Sequence, residues 1–236
     1  MSNKGRLFLI PTPLGEYDPA LVLPASVLEQ VGRLDRFVVE ELRTARRFLS
    51  KAGLKGRIDT LELHELNEHT GPDEIAAMGS LFDDGHDAGL LSEAGMPAVA
   101  DPGAALVALC HRIGVEVIPL TGPSSLMLAL MASGLNGQSF AFCGYLSAKP
   151  EERRSEIRNY ERISSQRRQT QIFIETPYRN DALLEDLLKQ CSPRTKLCIA
   201  ADITTPDQFI RTKSVKDWRI DKPVIGKRPC VFLILA

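Results

Sequence analysis

Short apolar runs alternate with longer stretches of helical periodicity along the first half of the chain. The run Leu7-Phe8-Leu9-Ile10 predicts a first strand, stopped by the stiff turn Pro11-Thr12-Pro13-Leu14-Gly15. Residues 21–34 carry apolar positions at helical spacing, with Pro24 tolerable only in the first turn. Phe37-Val38-Val39 predicts a second strand running into Glu40-Glu41, and residues 42–49 a helix bearing Arg43, Arg46 and Arg47. A third strand is expected at 58–63, and a helix at 72–81 before the turn Asp83-Asp84-Gly85. The apolar run at 88–91 suits a fourth strand buried on both faces. A helix at 104–113, closed by Gly114, and a strand at 115–119 finish the series. Strands alternating with helices in this way predict a parallel sheet covered by helices, complete near residue 119.

The pattern then changes. Thr121-Gly122-Pro123-Ser124-Ser125 opens a helix through Met131 that is apolar almost all round, and so is expected to be buried. Strands are predicted at 140–145, 172–175, 196–201, 208–213 and 230–235, with a charged helix at 151–163 and another at 180–188. Strands that follow one another late in the sequence imply antiparallel pairing, hence a mixed sheet. The expected architecture is α/β in two domains: residues 1–119 with a parallel sheet, and 120–236 of α+β character.

Composition narrows the class without naming a chemistry. A hydrophobic content of 44% with 25% charged residues is that of a globular domain, and no apolar run approaches membrane-spanning length. The net charge of −1 gives no general attraction to nucleic acid, although a local basic face would suffice. Cys110, Cys143, Cys191, Cys198 and Cys230 show no CxxC spacing, which argues against a disulfide scaffold or zinc ribbon and for a reducing compartment. With no stretch resembling a signal peptide, a cytoplasmic location is expected. His64 and His69 are five apart, about 140° around a helix, so they do not share a metal, and no metal is expected. There is no phosphate-binding loop, serine-nucleophile elbow or dinucleotide fingerprint.

What remains is a set of loops at strand ends. The segment from Ser92 to Gly103 is rich in Gly, Ala and Pro, carries Ser92 and Glu93, and ends in Asp101-Pro102-Gly103 at a helix start. Small residues there allow a ligand close to the backbone, as they allow any tight crossover with a good cap. Glu40, Glu41 and Arg43 at the end of the second strand can orient a substrate or merely bridge loops. Arg154, Arg158 and Arg162 recur every four residues, a face that can follow phosphates or, with its interleaved glutamates, an ordinary solvated helix.

In order along the chain, Ile10-Pro11-Thr12-Pro13-Leu14-Gly15, Glu41-Leu42-Arg43-Thr44-Ala45-Arg46, Leu63-His64-Glu65-Leu66-Asn67-Glu68 and the loop from Leu91 to Gly103 form a series. It continues through Val117-Ile118-Pro119-Leu120-Thr121-Gly122-Pro123-Ser124-Ser125, Ser133-Gly134-Leu135, Phe142-Cys143-Gly144-Tyr145-Leu146 and Glu175-Thr176-Pro177-Tyr178-Arg179. This series resembles the tetrapyrrole methylase family of S-adenosylmethionine-dependent methyltransferases, and within it the ribosomal-RNA branch of small-subunit rRNA methyltransferases. The resemblance implies two α/β domains with S-adenosylmethionine folded into the cleft between them, usually in a homodimer. Carried over by position, the cofactor meets Pro11, Thr12, Pro13 and Gly15, then Ser92, Glu93, Ala94, Gly95 and Pro97, then Thr121, Gly122, Ser124 and Ser125. From the second domain it meets Phe142, Gly144, Tyr145, Thr176 and Pro177. The implied reaction is 2′-O-methylation of a ribose in small-subunit ribosomal RNA, with the 30S subunit as partner. Glu93, Glu41 and Glu175 are its candidate proton acceptors, and Arg43 its candidate phosphate ligand. Glu93 stands where that branch usually has aspartate, and the sequence given stops at Ala236, where the ribosomal-RNA enzymes carry a small extension. The other readings of this fold are methylation of a small molecule such as a tetrapyrrole, and cofactor binding without catalysis.

Overall fold

The computed structural model describes residues 4–236 and divides into two compact units, the first running through Ser124 and the second from Ser125 to Ala236. The expected boundary after residue 119 thus falls earlier than the observed one. The stretch after it stays with the first sheet, since Leu120 N donates to Leu9 O at 2.9 Å. A Cβ on Gly122 would lie 2.2 Å from Pro11 Cγ, so this backbone lies against the turn after the first strand.

In the first unit β1 (Arg6–Ile10), β2 (Arg36–Val39), β3 (Glu62–Glu65), β4 (Ala88–Leu91) and β5 (Glu116–Pro119) form one sheet in the order β3-β2-β4-β1-β5. Every pairing in it is parallel. Alternate side chains feed two cores. Phe8, Ile10, Phe37 and Val39 meet α1 (Ala25–Gly32) and α2 (Leu42–Leu49) on one face. Leu7, Val38, Ala88 and Leu90 face the other core, which α3 (Pro72–Ala77) borders and α4 (Gly103–Ile113) closes with Leu106 and Leu109. Full burial of a side chain such as Phe37 is worth about 1.5–3 kcal/mol relative to leaving it in water.

Three local expectations are corrected here. The helix at 21–34 is a 3-10 turn, Pro19–Leu21, followed by α1, because Pro24 has no amide hydrogen and stands at the N-cap. Residues 55–60 are a 3-10 turn rather than strand. The third strand starts at Glu62, where Arg36 pairs with it in register and forms an ion pair at 2.8 Å. The helix at 72–81 stops at Ala77 and tightens into a 3-10 segment through Gly85. At Gly79 in that segment, a Cβ would stand 3.3 Å from Ile113 Cδ1.

In the second unit β6 (Phe140–Tyr145), β7 (Thr170–Ile174), β8 (Lys196–Ala201), β9 (Phe209–Ser214) and β10 (Cys230–Leu235) form a sheet in the order β6-β7-β10-β8-β9. β6 and β7 are parallel and the remaining pairs antiparallel, the mixed sheet expected. Beside it run α5 (Ser125–Ser133), α6 (Pro150–Arg167), α7 (Asn180–Gln190) and α8 (Val215–Ile220). Arg153 of α6 and Asp186 of α7 form a buried ion pair at 2.6 Å, to which Arg154 adds a bond at 3.0 Å. Helix α8 escaped the sequence reading, although Ser214 accepts from Asp217 N as its cap and Trp218 Nε1 donates to Leu197 O. Contrary to expectation α5 is only half buried. Ala129 and Leu130 face inward, while Met127 and Met131 are 50% and 77% exposed. It packs against β8, β9 and β10.

Candidate active site

The carboxyl ends of β4, β1 and β5 are neighbours, since Ile10 pairs with Leu91 and Leu9 with Pro119. The loops leaving them therefore meet, at the end of an α/β sheet where ligands bind. Pro11 and Pro13 have no amide hydrogen, so Thr12 is the one backbone donor in Pro11-Thr12-Pro13. Thr12 and Gly95 exchange both backbone hydrogen bonds, at 2.8 and 3.1 Å, locking the β1 loop to the β4 loop. Gly95 has φ +80°, and a Cβ there would stand 3.2 Å from Leu14 Cδ2 and 3.6 Å from Pro123 O. Backbone from all three loops thus crosses at one point.

The β4 loop is strained. Ala98 and Ala100 hold left-handed φ values of 64° and 61°, which residues with a Cβ seldom adopt. Asp101 maintains this shape by accepting from Ala98 N and Gly103 N, and burial pushes its carboxyl above the usual range. Strain held in place by a buried carboxylate marks a loop shaped for something other than connecting strands.

Thr12, Pro13, Gly15 and Glu93 line a cleft of about 170 Å³, joined by Arg47 and Phe48 of α2. Arg47 is ion-paired with Glu16 on its rim. Ser92 Oγ lies 3.5 Å from Ala94 O; Ala94 is exposed and Pro97 buried. Thr121 is exposed, and Gly122 and Ser124 are partly buried. The structure thus brings Thr12, Pro13, Gly15, Glu93 and Gly95 of the β1 and β4 loops together, with the β5 loop against them at Gly122 and Pro123.

The acidic residues sort by their partners. Glu41 Oε1 accepts from Arg43 N and Oε2 from Thr44 N and Oγ1, so its carboxylate caps α2. The Thr44 hydroxyl first, and the two amides after it, hold its carboxyl below the usual range. Arg43 extends from that cap as an exposed side chain. Glu40, at the end of β2, accepts from Glu93 N at 3.2 Å. Burial pushes its carboxyl up, the Glu93 amide opposes this, and the charges of Glu93, Asp101 and Glu68 add to the rise. The sequence places Glu40 in a cluster that orients a substrate or bridges loops, not among the proton acceptors. The signal was there, because the first carboxylate after a fully buried strand end is harder to solvate than the second.

In the second unit Phe142, Gly144 and Tyr145 belong to β6, which bulges between Phe142 and Tyr145 against β7, with Gly144 at φ +70°. Phe142 and Tyr145 are 36% and 53% exposed. Ser125 opens α5. Glu175 follows β7 and is buried. Its Oε1 takes bonds from Thr176 N and Arg179 Nε, while Oε2 has no hydrogen-bond partner among the described residues. Thr176 and Pro177 begin the following 3-10 turn. Phe142 to Tyr145 and Glu175 to Pro177 thus lie at one end of two paired strands.

The model for the tetrapyrrole (corrin/porphyrin) methylases matches residues 20–218. The chain belongs to the tetrapyrrole methylase family. Members of that family are S-adenosylmethionine-dependent methyltransferases. Ribosomal RNA small subunit methyltransferase I of Vibrio cholerae is 31% identical to this tetrapyrrole methylase over 205 residues, 87% of the chain and 67% of the relative. The protein of that name from Neisseria meningitidis serogroup A is 32% identical over 85% of the chain and 64% of its own length. The chain therefore spans about two thirds of these relatives. Uroporphyrin-III C-methyltransferase of Thermus thermophilus, solved with S-adenosylhomocysteine, superposes with a TM-score of 0.59 at 19% identity, covering 98% of this chain and 97% of that one, a likeness of fold.

The residues of the methylase fit the family's cofactor. An adenosyl sulfonium is a cation with an amino-acid tail. The crossing loops offer closely approachable backbone, the Ser92 hydroxyl and the exposed Glu93 carboxylate, and Glu40 at the end of β2 accepts from Glu93 N beside them. Among the described residues no group of His, Cys, Asp and Glu could hold a metal ion, and no helix is long and apolar enough to cross a membrane.

Proposed function

We propose that this chain methylates a ribose 2′-hydroxyl of small-subunit ribosomal RNA, using S-adenosylmethionine held by the loops after β1, β4 and β5. The backbone crossing at Thr12, Gly95 and Pro123 is the observation that supports the cofactor reading most directly. The ribosomal-RNA acceptor rests on the names of relatives at about 31% identity over most of the chain. Ser92, Ala94 and Pro97 of the β4 loop would shape the adenosyl side of the site.

Bound S-adenosylmethionine supplies a methyl group that is already electrophilic, so the protein's main work is to hold the acceptor in line. A ribose hydroxyl is a weak nucleophile, and a carboxylate that accepts its proton accelerates the transfer. We assign that role to Glu40. Glu41 is committed to the cap of α2 and Glu175 to Arg179, whereas Glu40 stands at a strand end with its carboxyl raised by burial. Glu93 borders the cleft and steadies Glu40 through its amide, and Arg43 is placed to hold an acceptor phosphate.

Tritium transfer from labelled cofactor to 30S subunits of a strain lacking the relative's gene tests the reading, with a tetrapyrrole as the competing acceptor. Label recovered in a ribose after nuclease digestion is the expected result. Label in the tetrapyrrole alone would replace RNA by a small-molecule acceptor.

A further inference from the structure

The basic helix α6 divides in the structure into two halves of different character. Its first half is neutralised: Arg153 is buried against Asp186, and Arg154 bonds Asp186 and Glu151. Its second half is not. Arg158 bonds Gln190, and Arg162 bonds Asn159 and Gln166, all neutral groups. Among the described residues neither forms an ion pair, and both are exposed. Arg194, from the loop between α7 and β8, joins them in one open concavity of about 410 Å³. That concavity also contains Glu161, whose Oε1 is taken up by Ser192 N and the Thr195 hydroxyl. Three guanidinium groups thus share the concavity with one acidic side chain, Glu161, and with Ala236, the last residue given, in a chain whose overall charge is −1.

We propose that this concavity is a docking surface for the phosphate backbone of RNA. Guanidinium groups present planar forks that match phosphate oxygens. Arg158 and Arg162 lie about 6 Å apart along the helix axis, so they follow a strand rather than clasp a single anion. Their neutral partners give way to a phosphate without breaking an ion pair. Asn159, Gln166 and Ser165 flank them as further donors to phosphate and sugar oxygens. The choice of RNA over other polyanions rests on the acceptor proposed above.

The test is the affinity of the full chain for a single-stranded RNA of mixed sequence, measured across salt concentrations. Wild type is compared with the triple variant Arg158→Gln, Arg162→Gln, Arg194→Gln. A control removes three exposed lysines elsewhere, Lys55→Gln, Lys222→Gln and Lys227→Gln. The docking variant should bind on the order of tenfold or more weakly, with the slope of log affinity against log salt reduced by about 2. It should keep its thermal midpoint and its S-adenosylmethionine affinity, and the control should lose less. Equal affinity and slope in wild type and docking variant would overturn the surface while leaving RNA as an acceptor. No RNA binding by wild type at low salt would overturn both. Binding through this face without methyl transfer would keep the surface and remove the acceptor.

Discussion

Consecutive residues of one type do different work here. Glu40 and Glu41 sit side by side after β2, yet one carboxyl is raised and the other lowered. Their partners explain it. Glu41 spends its oxygens on donors, which favour the charged form, while Glu40 is partly buried among other carboxylates, which disfavour it. Glu40→Gln should therefore lower the methyl-transfer rate by about 10²–10⁴-fold with cofactor affinity unchanged. In wild type the rate should rise with pH through a pKa above the usual glutamate value of about 4.3, and that limb should vanish in the variant. An unchanged rate would return the role to Glu93. Glu41→Gln should act on stability instead. A carboxyl whose folded pKa is depressed contributes stability above its unfolded value and loses it as the pH falls through the folded one. The gap in unfolding temperature between wild type and Glu41→Gln should be widest near neutral pH and close on acidification. A gap independent of pH would mean that the cap works without its charge.

At the scale of elements, the buried pair of Arg153 and Asp186 joins α6 to α7. Asp186→Ala strands a buried guanidinium and should cost about 3–5 kcal/mol by denaturant unfolding, since breaking one partner leaves the other uncompensated. A loss below about 1 kcal/mol would show that Arg153 finds water instead. Elements were legible wherever apolar runs were long or well punctuated: all five strands of the second unit lie within a few residues of their expected places. Boundaries failed where tertiary packing overrode pattern. The third strand slid past Ile58 because Arg36 holds Glu62 in register, and Gly79 tightened α3 into a 3-10 segment because the backbone passes close to Ile113. Helix α5 misled because an all-apolar sequence does not record which positions are covered, and Met127 and Met131 are 50% and 77% exposed. Helix α8 could have been found, since Ser214-Val215-Lys216-Asp217 is a short capping signal ahead of buried Trp218.

At the scale of the whole molecule, the order of the motifs led to the family that the match over residues 20–218 establishes. Periodicity alone reached only a parallel sheet with loops at its strand ends. The meeting of Thr12, Gly95 and Pro123 was not legible in any local pattern, because it depends on β1 lying between β4 and β5. That meeting is the central claim, and isothermal titration with S-adenosylmethionine tests it most directly on wild type and Gly95→Val. A β-branched side chain at φ +80° strains the backbone by about 1–2 kcal/mol and pushes on Leu14, so affinity should fall on the order of tenfold or more while the variant stays folded. Saturable heat for wild type and a weakened or absent signal for the variant is the predicted result. No heat from wild type at high cofactor concentration, or equal affinity in both proteins, would contradict the account.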